Sequence, residues 1–137
     1  PEAAEQGRVA GANMAGRSVV YPGSLSRNVI RIIDLDLMTA GLVSPPPGPG
    51  FEILERHDAR RRTHRRLVFQ GERLVGFSLV NAVEQGGVLT ALIRSRTPVD
   101  GPRERLLAPS FNFGSLPARR LPASPPPLRP VHRVAAA

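Results

Sequence analysis

The chain has no cysteine, no tryptophan and no lysine, and aromatic residues make up 4% of its 137 positions. Each absence excludes something. Without cysteine there is no disulfide, no thiolate metal site and no thiol nucleophile; a reducing compartment is permitted, and a cytoplasmic location is the expectation. With so few aromatic rings the core must be aliphatic, and no base-stacking platform for nucleic acid is in view. No apolar run approaches the ~20 residues that span a bilayer, and the small, acidic residues at the start do not make a signal peptide. There is no G-x-G-x-x-G and no Walker A pattern; Gly48 and Gly50 are split by Pro49 and precede no helix. There is also no G-x-S-x-G elbow, which argues against Ser-His-Asp hydrolysis.

What is present is a 41% hydrophobic chain, long enough for one domain with a core, carrying a net charge of +8. All the cationic residues are arginine, a bias that, beside so much Ala, Gly and Pro, matches GC-rich coding. After Glu104 there is no acid at all, while Arg105, Arg119, Arg120, Arg129 and Arg133 follow, so much of the excess sits at the end.

The stretch from Phe51 to Ile93 organises the rest. It reads as strand (FEILER), loop (HDARRR), strand (THRRLVFQ), a two-residue turn at Gly71-Glu72, strand (RLVGFSLV) and helix. Glycine at the first central position supplies the positive φ of a type II′ hairpin turn. Strict alternation puts Val75, Phe77 and Leu79 on one face and Leu74, Gly76, Ser78 and Val80 on the other, a central strand covered on both sides. Asn81 is placed to cap the helix, with Glu84 completing a capping box, and Val88, Leu89, Leu92 and Ile93 form the stripe that lies on the sheet.

Before this unit, residues 1–16 read as a helix: Pro1 in the first turn, Glu2 and Glu5 at the positive end of the dipole, Gly16 as the stop. Gly7 and Gly11 share a face with Ala3 and Ala15, which reads either as close packing or as a surface pressed to a cofactor or another backbone. Because the chain opens on this helix without Met, a segment of a longer protein is expected. Val29 to Ile33 and the alternating Asp34 to Leu37 read as one bent strand or two short ones ending at Gly41, and Ser44 to Gly50 as a proline-rich loop. After the central unit, Thr97-Pro98 ends the helix, Asp100 caps a short helical turn to Leu107, and Phe111 and Phe113 dock on the body. Residues 119–137 are Pro- and Arg-rich and read as disordered.

Two clusters invite chemistry. His57, Asp58 and His64 lie near one another in sequence, with His132 far off, but the arginines among them repel a cation and no metal ligand is named. Arg60, Arg61, Arg62, Arg65 and Arg66 support a competing reading, a stand-alone basic module that binds nucleic acid or an acidic protein; a solvated edge loop explains them as well, and nucleic acid is disfavoured.

A family resemblance goes further. Ala3 to Gly16 (AAEQGRVAGANMAG) resembles the closing helix of the FAD domain in pyridine-nucleotide-dependent flavoprotein oxidoreductases, closest to the group of rubredoxin reductase, NADH oxidase and the nitrite reductase large subunit. Tyr21 to Ile30, Leu35-Asp36-Leu37 and Ala40-Gly41-Leu42 resemble the opening of that group's C-terminal domain. Leu67 to Gly76, Leu89 to Arg94 and Phe113 to Pro117 are similar to its hairpin, final helix and closing residues. The proline-rich loop and the tail depart from the pattern. The resemblance implies an α+β fold, a small and mainly antiparallel sheet with a C-terminal helix packed on it, preceded by one helix left from an FAD-binding domain. It implies domains at 1–16, 17–118 and a tail at 119–137. It implies FAD, held with a missing upstream domain, NAD(P)H as co-substrate of the complete enzyme, and electron transfer to a small acceptor. The fragment alone is not expected to be active. Cofactor-binding residues by resemblance are Glu2, Ala3 and Ala4, whose helix N-terminus faces the flavin; no catalytic residue is named. The implied partners are an upstream FAD/NAD(P)H-binding domain or partner chain, a redox acceptor protein and a second copy in a homodimer.

Overall fold

A computed structural model describes residues 2–115. They fall into two compact units that meet in sequence at Ser24 and Leu25. The first contains helix α1 (Glu2–Met14), with Glu2 and Glu5 in its first turn. Its end is a Schellman arrangement: Arg17 N–H donates to the Ala12 carbonyl at 2.9 Å and Gly16 N–H to the Asn13 carbonyl at 3.0 Å. The Asn13 side chain then clips the following segment, donating to the Val19 carbonyl at 2.9 Å and accepting from the Val19 N–H at 2.7 Å. A Cβ added at Gly7 or Gly11 would meet nothing within 4 Å, so among the described residues this small-residue face is packed on nothing.

The second unit is a five-stranded antiparallel sheet in the order β1-β2-β5-β4-β3. Its strands are β1 (Arg27–Ile32), β2 (Leu35–Gly41), β3 (Glu52–Asp58), β4 (Thr63–Gln70) and β5 (Arg73–Val80). Helix α2 (Gly86–Ser95) packs against β5 and β2. The α+β class is therefore as expected. Val29 to Gly41 is two strands rather than one bent strand, folded as a hairpin. The loop expected from His57 is shorter than predicted, because β3 continues to Asp58. Residues 43–51 carry no helix or strand, as the prolines there require.

The core lies between α2 and one face of the sheet. It contains Met38 and Ala40 from β2, Leu67 and Phe69 from β4, and Leu74, Phe77 and Leu79 from β5. Val88, Leu89 and Leu92 of α2 fill it, Ile93 packs at its edge, and Leu106, Leu107 and Phe111 close it from below. The predicted helical stripe is thus the one buried.

The alternation read along β5 needs correction. Phe69 pairs with Leu74 but Val68 pairs with Gly76, so Val75 is an extra residue, a β-bulge. The bulge moves Leu74 to the face of Phe77 and Leu79 and removes Val75 from it. The Val75 carbonyl is taken up by the Leu42 N–H at 2.9 Å. Gly76 is required beside it, since a Cβ there would lie 2.0 Å from the Leu42 carbonyl oxygen. β5 is central in the sheet, but on its second face Ser78 and Val80 are half-buried rather than covered.

The capping box is a second correction. Asn81 has φ 49°, and the helix starts at Gly86 after a 3-10 turn at Val83–Gln85. The Asn81 side chain instead ties two turns together: Oδ1 accepts from the Asp36 N–H at 2.9 Å and Nδ2 donates to the Arg62 carbonyl at 3.1 Å. The turn expected to be capped by Asp100 is a 3-10 helix at Arg103–Leu107 whose N-cap position is Pro102, and Arg105 donates to the Asp100 carbonyl at 2.6 Å. The tail expected to be disordered, 119–137, lies outside the described residues.

Candidate functional site

The first turn of α1 carries the residues singled out for a cofactor. Ala3 and Ala4 are exposed and Glu2 is half-buried. The Tyr21 hydroxyl donates to the Glu2 carboxylate at 3.3 Å. First-turn N–H groups have no intrahelical carbonyl to bond, and the dipole makes this end positive. Two methyl side chains leave the turn open to a flat ligand, and Tyr21 engages Glu2, one of the two acids of that turn.

Among the described residues, His57 and His64 sit in a cross-strand pair and not in a cluster of three ligands. His57 and His64 are cross-strand neighbours with ring centroids 6.2 Å apart, and His64 Nε2 lies 3.6 Å from Glu55. Asp58 is on the opposite face of β3 and is engaged by its own turn, accepting from the Arg61 N–H at 3.1 Å. Among the described residues no three His, Asp or Glu side chains converge, and His132 lies outside them.

The arginine run does not make one patch, because a strand sends successive side chains to opposite faces. Arg66 points away from the core and pairs with Glu55 at 2.6 Å. Arg62 leaves the turn toward Asp34 at 2.5 Å. That hydrogen bond, and then the charge beside it, holds the Asp34 carboxyl below its ordinary value. Arg61 sits 4.0 Å from Asp58. A basic module that presents the five arginines together is not favoured by this geometry.

Arg65 takes the core face and is 4% exposed. Its Nε donates to Gln85 Oε1 at 3.0 Å and its Nη1 to Thr63 Oγ1 at 3.4 Å. Glu84, the residue expected in a capping box, lies 3.6 Å from Nη2. Gln85 is itself buried and its Nε2 donates to the Ala108 carbonyl at 2.5 Å, so one amide locks β4, the turn before α2 and the residue that follows the 3-10 helix at Arg103–Leu107. Arg65 opens onto a cleft of about 480 Å³ that is also lined by Arg56, Asp58, Arg60, Arg61, Thr63 and Pro109. Neither Gln85 nor the special place of Arg65 was singled out from the sequence. The signal was there: the alternation that puts Leu67 and Phe69 on the core face runs back through Arg65 to Thr63.

No family model matches the chain. Its sequence is 32% identical over 117 residues to the epsilon subunit of the NADH-dependent phenylglyoxylate dehydrogenase of Aromatoleum evansii, an alignment that covers 83% of this chain and 27% of that subunit. Its fold matches the crystal structure of NADH:rubredoxin oxidoreductase from Clostridium acetobutylicum with a TM-score of 0.52 and 16% identity, over 72% of this chain and 25% of that one. Both likenesses support a similarity of this chain to the C-terminal part of a pyridine nucleotide oxidoreductase. The chain spans about a quarter of the length of each of these two proteins. This likeness agrees with the family resemblance carried by the α1 sequence, the β4–β5 hairpin and α2. Among the described residues no helix is long and apolar enough to cross a membrane.

Proposed function

We propose that the chain is the C-terminal portion of a cytoplasmic, FAD-dependent NAD(P)H oxidoreductase. It completes the flavin site with the first turn of α1 and supports docking of the enzyme to a partner chain, a redox acceptor or a second copy. The observation that carries this reading is the 32% identity over 117 residues to a subunit named as NADH-dependent. Reduction by NAD(P)H and onward electron transfer are what the flavin supplies when bound. This chain's part is local. The backbone N–H groups of Ala3 and Ala4 and the positive helix end favour negative charge on the ring edge. The Tyr21 hydroxyl donates to the Glu2 carboxylate and fixes that side chain at the helix end. Both nucleotide folds are supplied by the preceding domain or a partner chain.

The test is to purify the natural gene product, tagged at its C-terminus, from its source cells. The expected preparation is yellow, oxidises NADH or NADPH, and is either far heavier than 14.8 kDa or accompanied by a flavin-binding chain. A flavin-free preparation with no NAD(P)H oxidation overturns the reading. So does turnover by the 137-residue chain alone with added FAD.

A further inference from the structure

The cleft beside Arg65 has an excess of positive charge that the fold has positioned and not neutralised. Four guanidinium groups, of Arg56, Arg60, Arg61 and Arg65, line it with the single carboxylate of Asp58. That carboxylate is already committed to the turn it belongs to, at 4.0 Å from the Arg61 side chain and 3.1 Å from the Arg61 N–H. Arg56 and Arg65 face each other across β3 and β4. Like charges directly opposite on a sheet are destabilising unless something of the other sign lies between them. Glu84 supplies part of that from one side, at 3.6 Å from Arg65, but its side chain is 63% exposed and its attraction is screened. The buried Arg65 is the anchor. A guanidinium carries five N–H donors in a fixed fork; Gln85 and Thr63 set the orientation of that fork with one hydrogen bond each. Gln85 is in turn fixed by the Ala108 carbonyl. A buried arginine held by neutral acceptors, with further arginines on the rim, is how proteins hold a carboxylate or phosphate group. The cleft volume of about 480 Å³ suits a small molecule.

We propose that this cleft binds a small dianionic oxyanion, a phosphate or a short dicarboxylate, with Arg65 at its base and Arg56 and Arg60 closing over it. The site belongs to the second unit alone and does not depend on the flavoenzyme reading.

The experiment is calorimetric titration of the chain with inorganic phosphate and, separately, with succinate, at low ionic strength. At least one of the two is expected to bind saturably at one site per chain, and the stronger of them identifies the chemistry. Arg56 and Arg60 are exposed, so Arg56→Gln and Arg60→Gln leave the fold intact. Each is expected to weaken binding by about tenfold, the loss of one charge-assisted contact. Arg65→Lys keeps the charge but loses the fork, and is expected to weaken it at least as much. Arg31→Gln, which removes a cation paired to Asp36 outside the cleft, is expected to change nothing. The proposal is overturned if neither probe binds, or if Arg31→Gln weakens binding as much as the cleft variants, which would mean that the anions only screen the surface.

Discussion

Two hairpins in the same sheet use the same backbone solution with opposite residues. In the β4–β5 hairpin, Gln70 and Arg73 flank a two-residue turn whose first member is Gly71, at φ 57°. In the β1–β2 hairpin, Ile32 and Leu35 flank a two-residue turn whose first member is Ile33, at φ 56°. Positive φ is free for glycine and a steric cost for a β-branched residue. The flanking strands differ just as sharply. Leu67, Phe69, Leu74, Phe77 and Leu79 are at most 2% exposed, whereas Val29, Ile30 and Ile32 are 46–67% exposed although their residue types are equally suited to strands. The inner hairpin is held by burial. The outer one buries only Met38 and Ala40 of β2, and is otherwise held by its ladder, by Asn81, and by two ion pairs, Arg31–Asp36 at 2.6 Å and Arg62–Asp34 at 2.5 Å. Strand propensity alone does not say which hairpin carries the core.

The largest expected effect breaks this contrast from the buried side. Phe77→Ala empties a site with 0% exposure in the middle strand and is expected to cost about 3–5 kcal/mol of unfolding free energy. Ile30→Ala, at 46% exposure on the edge strand, is expected to cost under about 1 kcal/mol, since little of its surface is removed from water on folding. Urea titration of both variants checks the pair. Equal losses would mean that β1 is covered in the working protein and that the hairpins are not different in kind.

The turns give a smaller effect of opposite sign in the two places. Gly71→Val forces a β-branched side chain to positive φ and is expected to destabilise by about 1–2 kcal/mol. Ile33→Gly relieves the same strain and loses no packing, because Ile33 is 93% exposed. Glycine also raises the entropy of the unfolded chain, which offsets about 0.5–1 kcal/mol of that relief. The net expectation is a gain of less than about 1 kcal/mol, read as a rise in the urea midpoint at unchanged slope. A fall in the midpoint would show that Ile33 is held by a contact and is not strained.

The elements that the sequence made legible are those written in local chemistry. The Gly71 turn, the stop at Gly16, the stripe of Val88, Leu89 and Leu92, and the proline loop each follow from a few adjacent residues. What was not legible depends on pairing between distant residues. The Val75 bulge is met by Leu42, which takes its carbonyl from 33 positions away, and within RLVGFSLV only Gly76 hints at it. Asn81 has the residue type of a helix cap, but the partners that claimed it are 45 and 19 positions away. The cleft was half legible. The charge of Arg60 to Arg66 was plain, but its division between two faces of a strand, and the burial of Arg65 against Gln85, needed the strand register and the position of α2.

The smallest effect concerns acid, and it reaches the outer hairpin first. Hydrogen bonding to Arg62, and then its charge, lowers the Asp34 carboxyl from the ordinary 3.8. A hydrogen bond from Arg31, partly opposed by desolvation, lowers that of Asp36. A carboxyl whose folded value is depressed contributes stability above its unfolded value and loses it as the pH falls through the folded one. The window therefore lies below pH 3.8 for both pairs. Both carboxylates are solvent-facing, so salt screens them and the global unfolding transition is expected to move little. A local probe is needed: carboxyl-carbon NMR titration of the two aspartates, with amide exchange followed across β1 and β2. The expected result is that both midpoints fall under 3.8 and that β1 and β2 amides exchange faster below them while β4 and β5 stay protected. Arg62→Gln should raise the Asp34 midpoint toward its ordinary value and leave Asp36 unmoved, because Arg31 grips Asp36 through two separate bonds at 2.6 and 2.8 Å. If Asp34 titrates normally in the unmodified chain, the Arg62 bridge is not formed in solution, and the outer hairpin rests on the Arg31–Asp36 pair, Asn81, its ladder and the buried residues of β2.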